Sequence, residues 1–258
     1  MPTTQTGDGA TIHYETAGAG DPVVLVHGIT ECARMWDPIV DRLSADHRVV
    51  TLDLRGHGES PPYPPYDLAA LAGDVAAVAM AEGLDRPHVV GHSLGGAVVS
   101  ALAGAFPVAS AVNVDQPLKL DDFQAQLQAA APALRDPELF PTVIAGLFDD
   151  LAGDVLDPTE RARIESHRRA DQPVVLGIWE PVLDAPTEEL AAMVEAAASA
   201  IAGPYLSLHG IDPGPDYRAW LRTLIPHAEI DVWPGLGHYP HLVDPDRFVA
   251  RIEEFWAS

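Results

Sequence analysis

Pro87–Val99, PHVVGHSLGGAVV, is the stretch whose reading decides the fold. A short apolar run (His88, Val89, Val90) reaches Gly91-His92-Ser93-Leu94-Gly95, and an apolar, helix-compatible segment begins at Gly96. This is the G-x-S-x-G pattern of a nucleophile elbow, a turn from strand to helix so sharp that the serine backbone is strained. Glycines on either side of the serine let neighbouring backbone approach without a Cβ clash. The turn lifts the Ser93 hydroxyl above the carboxyl end of a sheet and sets it near the positive end of the next helix. A lone pentapeptide of this kind arises by chance, so the flanking strand and helix carry the reading.

Outward from the elbow, strands and helices alternate. Thr11–Thr16 alternates and reads as an edge strand, with Gly18 and Gly20 in the turn after it. Val23–Val26 is a continuous apolar run, as in a strand buried on both faces, and ends in His27-Gly28-Ile29-Thr30. A helix is predicted around Trp36–Leu43, with Asp37 as a cap and Pro38 in its first turn. Arg48–Leu52 is the next buried strand and runs into DLRGHGES, followed by a proline-rich loop, Ser60–Pro65, and a helix over Leu68–Glu82. Ala109–Val114 is a further strand, ending at Asp115.

The alternation then stops. Residues 117–200 hold no convincing strand run, only alanine- and leucine-rich helical stretches with predicted breaks at Pro132, Pro137, Pro141, Pro158, Pro173, Pro181 and Pro186. Tyr205–Leu208 and Glu229–Trp233 resume the strands, and Tyr217–Leu224 and Asp246–Trp256 the helices. The expected architecture is α/β, a doubly wound, mostly parallel sheet. It divides into a core over residues 1–116, a helical lid insertion over 117–200, and the rest of the core over 201–258.

Composition narrows the chemistry. Of 258 residues, 47% are hydrophobic and 21% charged, as in a globular chain with a sizeable core, and no apolar run approaches the roughly 20 residues that span a bilayer. The start, MPTTQTGDG, has neither the basic nor the apolar part of a signal peptide, and the single Cys32 makes no internal disulfide, so the expected compartment is the cytoplasm. The net charge of −23, with Lys119 the only lysine, repels nucleic acid and anionic membranes. That charge fits either solubility in an arginine-, alanine- and aspartate-rich proteome or a salt-adapted source.

Four pieces in order (HG after a buried strand, DLRGHGES after the next, GHSLGG at the elbow and GHYPHLVDP near the C-terminus) resemble the α/β-hydrolase fold superfamily along essentially the whole chain outside the insertion. The resemblance implies a serine hydrolase. Ser93 is the expected nucleophile, which needs a base to take its proton, and His238, in the loop after the last strand, matches the family's catalytic histidine. His241 is a second candidate, His92 is expected to orient the elbow, and His27 and His57 match structural positions. The acid that fixes the histidine tautomer has two candidates. Asp212, in HGIDPG after the strand Tyr205–Leu208, is at the usual location, though one residue closer to its strand than the common pattern. Asp115, in NVDQP, ends the preceding strand. The stretches NVDQPLKLDDF and ECARMW also resemble zearalenone-lactone hydrolases, whose acid sits at that strand end. The backbone N–H groups of Ile29 and Leu94 match the family's oxyanion positions.

The resemblance implies no cofactor, and no Cys/His cluster has metal-ligand spacing. A serine at the elbow excludes the epoxide hydrolases and haloalkane dehalogenases of this fold, which place an aspartate there. No charged cluster in the insertion announces an anionic substrate, so the expected substrate is a small to medium, mostly neutral ester or lactone. Trp179, in GIWEPVL, either faces the site or packs within the lid, and Cys32 reads as a small buried filler. The same triad also serves C–C bond hydrolases and cofactor-free haloperoxidases acting by perhydrolysis. A different class, a ligand receptor with slow turnover, shares the scaffold.

Overall fold

Apolar side chains at alternate positions of one strand face opposite sides of a sheet, so a strand apolar at every position requires cover on both faces. The computed structural model, which describes residues 2–258, meets that requirement. Its strands are β1 (Thr3–Gln5), β2 (Thr11–Ala17), β3 (Asp21–Val26), β4 (His47–Leu52), β5 (His88–His92), β6 (Ser110–Val114), β7 (Tyr205–His209) and β8 (Glu229–Val232). They form one sheet in the order β1-β2-β4-β3-β5-β6-β7-β8. β2 pairs antiparallel with β1 and β4, and every other neighbouring pair is parallel. The Thr11–Ala17 strand therefore lies one place in from the edge predicted for it, because the unforeseen β1 covers its outer side.

The helices are α1 (Asp37–Leu43), α2 (Leu68–Ala81), α3 (Leu94–Ala105), α4 (Asp121–Arg135), α5 (Phe140–Ala152), α6 (Pro158–His167), α7 (Gln172–Asp184), α8 (Thr187–Ser199), α9 (Tyr217–Leu224), α10 (Pro240–Val243) and α11 (Pro245–Trp256). On one face, Val24, Val26, Val50, Leu52 and Val89 pack with Leu71, Val75 and Val78 of α2 and Val98, Val99 and Leu102 of α3. On the other, Val23, Leu25, Val49, Val90, Val112 and Leu206 meet Ile39 and Leu43 of α1 and Phe248, Ile252 and Phe255 of α11. Truncating any one of these buried leucines to alanine would cost about 2–5 kcal/mol. No helix among the described residues is long and apolar enough to cross a membrane.

Helix α1 starts from a 3-10 turn, Ala33–Trp36, and Asp37 is its first residue rather than its cap; no side chain caps it. Helices α4–α8 all lie between β6 and β7. Pro141, Pro158 and Pro173 sit in the first turns of α5, α6 and α7, where a missing N–H costs nothing. Pro132 and Pro181 do not break their segments as predicted; they lie inside α4 and α7.

The loop after β4 is fixed by buried charge. Asp53 accepts from the N–H groups of Ala33 (2.7 Å) and Glu59 (2.9 Å), tying this loop to the one after β3. Arg55 and Asp74 are fully buried and paired, Nη2 to Oδ1 at 2.6 Å, and Arg55 Nη1 reaches Asp8 at 2.8 Å and the carbonyl of Pro65 at 3.0 Å.

Candidate active site

Between β5 and α3 the chain reverses within one residue. Ser93 has φ 51° and ψ −123°, a left-handed conformation that costs a non-glycine residue on the order of 1–3 kcal/mol. The turn is held by Ser93 N–H to the Val114 carbonyl (2.9 Å) and Gly96 N–H to the Ser93 carbonyl (2.7 Å). A Cβ at Gly91 would collide with the carbonyl of Gly95, and one at Gly95 with the carbonyl of Val26. Both glycines of the motif are thus demanded by close approach.

His238 lies in the loop between β8 and α10 and is buried. Its Nδ1 donates to Oδ2 of Asp115 at 2.7 Å. The other oxygen of Asp115 accepts from the N–H groups of Gly210 (2.8 Å) and Ile211 (3.0 Å). Burial alone would raise the Asp115 carboxyl, but the hydrogen bond and charge of His238, with the Ile211 N–H, outweigh it and hold the pKa below the usual carboxylate range. Of the two candidate acids, the structure sets Asp115 and not Asp212 against His238. Asp212 is exposed and accepts only from the Gly214 N–H at 3.0 Å. Because the main chain after β7 spends its N–H groups on Asp115, the next side chain along turns out to solvent.

The His27-Gly28 loop runs against the elbow: a Cβ at Gly28 would lie 3.2 Å from the Ser93 Cβ. Leu94 is the first residue of α3, so its N–H has no partner within the helix. Among the described residues neither the Ile29 nor the Leu94 N–H donates a hydrogen bond within the protein. Two free donors beside one hydroxyl can receive a developing negative oxygen.

The remaining histidines divide by their partners. His27 donates from Nδ1 to the Gly28 carbonyl (2.7 Å) and accepts at Nε2 from the Leu54 N–H (3.1 Å), a set only the neutral ring satisfies. His57 donates to the Arg55 carbonyl (3.1 Å), and burial pushes it down to about 3. His241 packs against the Trp36 ring and is held neutral by burial. His92 reaches past the elbow: its Nε2 donates to the main-chain carbonyl of His238 at 2.8 Å.

Trp179 is buried edge-on to Phe123 in the cluster that contains Leu127 and Leu183. Cys32 is buried, and burial raises its thiol to about 11. Among the described residues no group of three or more His, Cys, Asp or Glu side chains is placed to hold a metal. A cleft of about 260 Å³ opens between the insertion and the core, lined by Cys32, Asp53, Glu59, His167 and Arg169 among others.

One residue beside the site went unread in the sequence. Glu31, three positions after Gly28, is buried and hydrogen-bonded to Gly28, His92 and Tyr239. An acidic residue in a loop reads as solvated, and only its position against the buried HG motif gave a signal.

Residues 23–251 match the family model described as the alpha/beta hydrolase family. Among curated proteins, the chain is similar to the pimeloyl-(acyl-carrier protein) methyl ester esterase of Aeromonas hydrophila, at 29% identity over 270 aligned residues covering 95% of this chain and 98% of that one. It is also similar to the 2-(acetamidomethylene)succinate hydrolase of Mesorhizobium japonicum, at 27% identity over 266 aligned residues covering 95% and 91%. Of the solved structures, a hydrolase from Pseudomonas aeruginosa PA01 superposes with a TM-score of 0.83 at 24% identity, covering 100% of this chain and 98% of that one, a likeness of fold.

Proposed function

The chain belongs to the alpha/beta hydrolase family and is an enzyme of the hydrolase type, and from that premise we propose that it cleaves a small to medium, mostly neutral carboxylic ester or lactone through an acyl-enzyme on Ser93. The observation that carries the reading is the 2.7 Å bond between His238 Nδ1 and Asp115, which leaves Nε2 of that ring as the base. In the proposed cycle His238 takes the Ser93 proton as the hydroxyl oxygen attacks the carbonyl carbon. Asp115 holds the ring tautomer and stabilises the imidazolium. The Ile29 and Leu94 N–H groups receive the oxyanion. Collapse expels the alkoxide, protonated by His238, and water activated by the same ring releases the acid.

Helices α4–α8 serve as the lid in this reading. Supporting that role, the Leu151 carbonyl at the end of α5 accepts from the His238 N–H (3.4 Å), and Arg168, just after α6, donates to Tyr239 Oη (2.6 Å). A neutral substrate agrees with the net charge of −23, which disfavours anions. The similar methyl ester esterase of Aeromonas hydrophila supports an ester as the class.

The test is steady-state hydrolysis of p-nitrophenyl acetate and butyrate by the wild type and by Ser93→Ala, each checked for folding by circular dichroism. Turnover by the wild type and a loss of at least about 10³-fold in Ser93→Ala is the expected result. Activity retained in Ser93→Ala would sink the acyl-enzyme.

A further inference from the structure

We propose that Glu31 is a positioning residue of this site, whose buried carboxylate joins the oxyanion loop, the elbow and the His238 loop and is reached from the lid through Arg168. The inference rests on the serine-hydrolase reading above. Glu31 Oε2 accepts from the Gly28 N–H (2.8 Å) and from His92 Nδ1 (3.3 Å), and Oε1 accepts from Tyr239 Oη (2.9 Å). Gly28 immediately precedes the oxyanion donor Ile29, His92 precedes Ser93, and Tyr239 follows His238. One carboxylate therefore bonds to a neighbour of each reacting group.

The link to His238 is doubled. Besides Tyr239, His92 carries the connection onward by donating from Nε2 to the His238 carbonyl (2.8 Å). The His92 ring lies 4.6 Å from the His238 ring and 4.8 Å from that of Tyr239, centroid to centroid, so the three pack as one cluster of mutually tilted rings. On the lid side, Arg168 donates to Tyr239 Oη (2.6 Å) and lays its guanidinium over the Phe148 ring of α5 at 4.2 Å. The Arg169 N–H also donates to the Thr30 carbonyl (2.8 Å), one residue from Glu31.

A carboxylate buried this deeply is costly unless ionic or hydrogen-bonded partners surround it. Stability alone does not call for such a group, because apolar side chains of similar volume often fill an interior as well. The geometry gives the carboxylate a use: it fixes three backbone segments that must agree to within a fraction of an ångström for attack, proton transfer and oxyanion capture to coincide. Misplacement of about 1 Å at such a site costs on the order of 10²-fold in rate.

The experiment measures the rate at which an alkyl fluorophosphonate labels Ser93 in the wild type, Glu31→Gln and Tyr239→Phe, alongside melting temperature. The downfield proton resonance of the His238–Asp115 bond is recorded for the same proteins. Glu31→Gln keeps the shape and loses the charge, and labelling is expected to slow by about 10- to 100-fold in protein that is still folded. Tyr239→Phe should slow it less, and the downfield resonance should shift in both. Labelling of folded Glu31→Gln at the wild-type rate, with an unmoved resonance, overturns the proposal. If Glu31→Gln does not fold, Tyr239→Phe decides by the same two readouts. If the wild type itself is not labelled, the serine-hydrolase reading fails instead. The resonance alone then judges Glu31: a shift in Glu31→Gln upholds its hold on His238 and an unchanged line refutes it.

Discussion

Asp115 and His238, 123 residues apart in the chain, meet at 2.7 Å, and the carboxylate they share is held from its other side by two backbone N–H groups of the β7 loop. The acid is therefore oriented by main chain that cannot rotate away. A side chain so placed acts on one tautomer of one ring.

Replacing it tests that directly. Asp115→Asn should lower kcat/KM for p-nitrophenyl butyrate by about 10³- to 10⁴-fold, because the amide stabilises the wrong tautomer and no imidazolium. Asp212→Asn, altering an exposed side chain, should stay within about twofold. Parallel kinetics on the two variants check the assignment, and a reversed order would return the role to Asp212.

Acid should destabilise the fold well above the carboxylate range. Burial lowers the pKa of His27 and His241, takes His57 to about 3 and takes His209 to about 4. Below pH of about 6.5 the unfolded chain binds these protons and the folded chain does not, so stability falls as pH drops, at about 1.4 kcal/mol per unit for each ring. For His209 the loss continues to about pH 4 and for His57 to about pH 3. Asp115, with its lowered pKa, adds its loss only below about pH 4. Urea unfolding at pH 7.5, 6 and 5 should show a steep decline, and equal midpoints would contradict the neutral buried rings.

Glycines on the two sides of Ser93 should behave oppositely to Gly73 and Gly146, which have open space around them. A Cβ at Gly73 in α2 or Gly146 in α5 meets nothing within 4 Å, so alanine there should add about 0.5–1 kcal/mol to stability. Gly95→Ala drives its Cβ into the Val26 carbonyl and should abolish either folding or turnover. Thermal melts and ester hydrolysis on the three proteins compare them.

The Arg55–Asp74 pair should matter through its loss. Asp74→Ala leaves a guanidinium buried without its main partner and should cost about 3–5 kcal/mol in urea unfolding. Asp8→Ala removes a partner that is 41% exposed and should cost about 1 kcal/mol or less. Equal losses would mean that the buried pair is not the anchor of this loop.

The succession of strands and helices from Thr11 onward and the elbow were legible because they rest on local rules: apolar runs and a serine between close-packed glycines. The carboxylate partner of His238 was not, because distance along the chain does not encode which strand end lies beside that ring. Both Asp115 and Asp212 follow strands, and only the N–H groups of Gly210 and Ile211 choose between them. Asp115 does carry a strand-end signature in its positive φ of 53°, invisible in sequence. The short β1 and α10 lack the length for a periodic signal. Trp179 could not be assigned between pocket and packing because both favour a buried aromatic, and Glu31 looked like any loop carboxylate.

Asp115 also stands just ahead of the point where the chain departs into α4, and the step between them is pinned: Asn113 Nδ2 holds the Gln116 carbonyl at 2.8 Å. The Asp115 carboxylate and the start of the segment that carries α4–α8 are thus tied together locally. A splice at the end of β6 would exchange Asp115 along with helices α4–α8, whereas one beyond Gln116 would keep it. Downstream of that joint, a graft would still have to supply what the Leu151 carbonyl, Arg168 and the Arg169 N–H give to His238, Tyr239 and the Thr30 carbonyl.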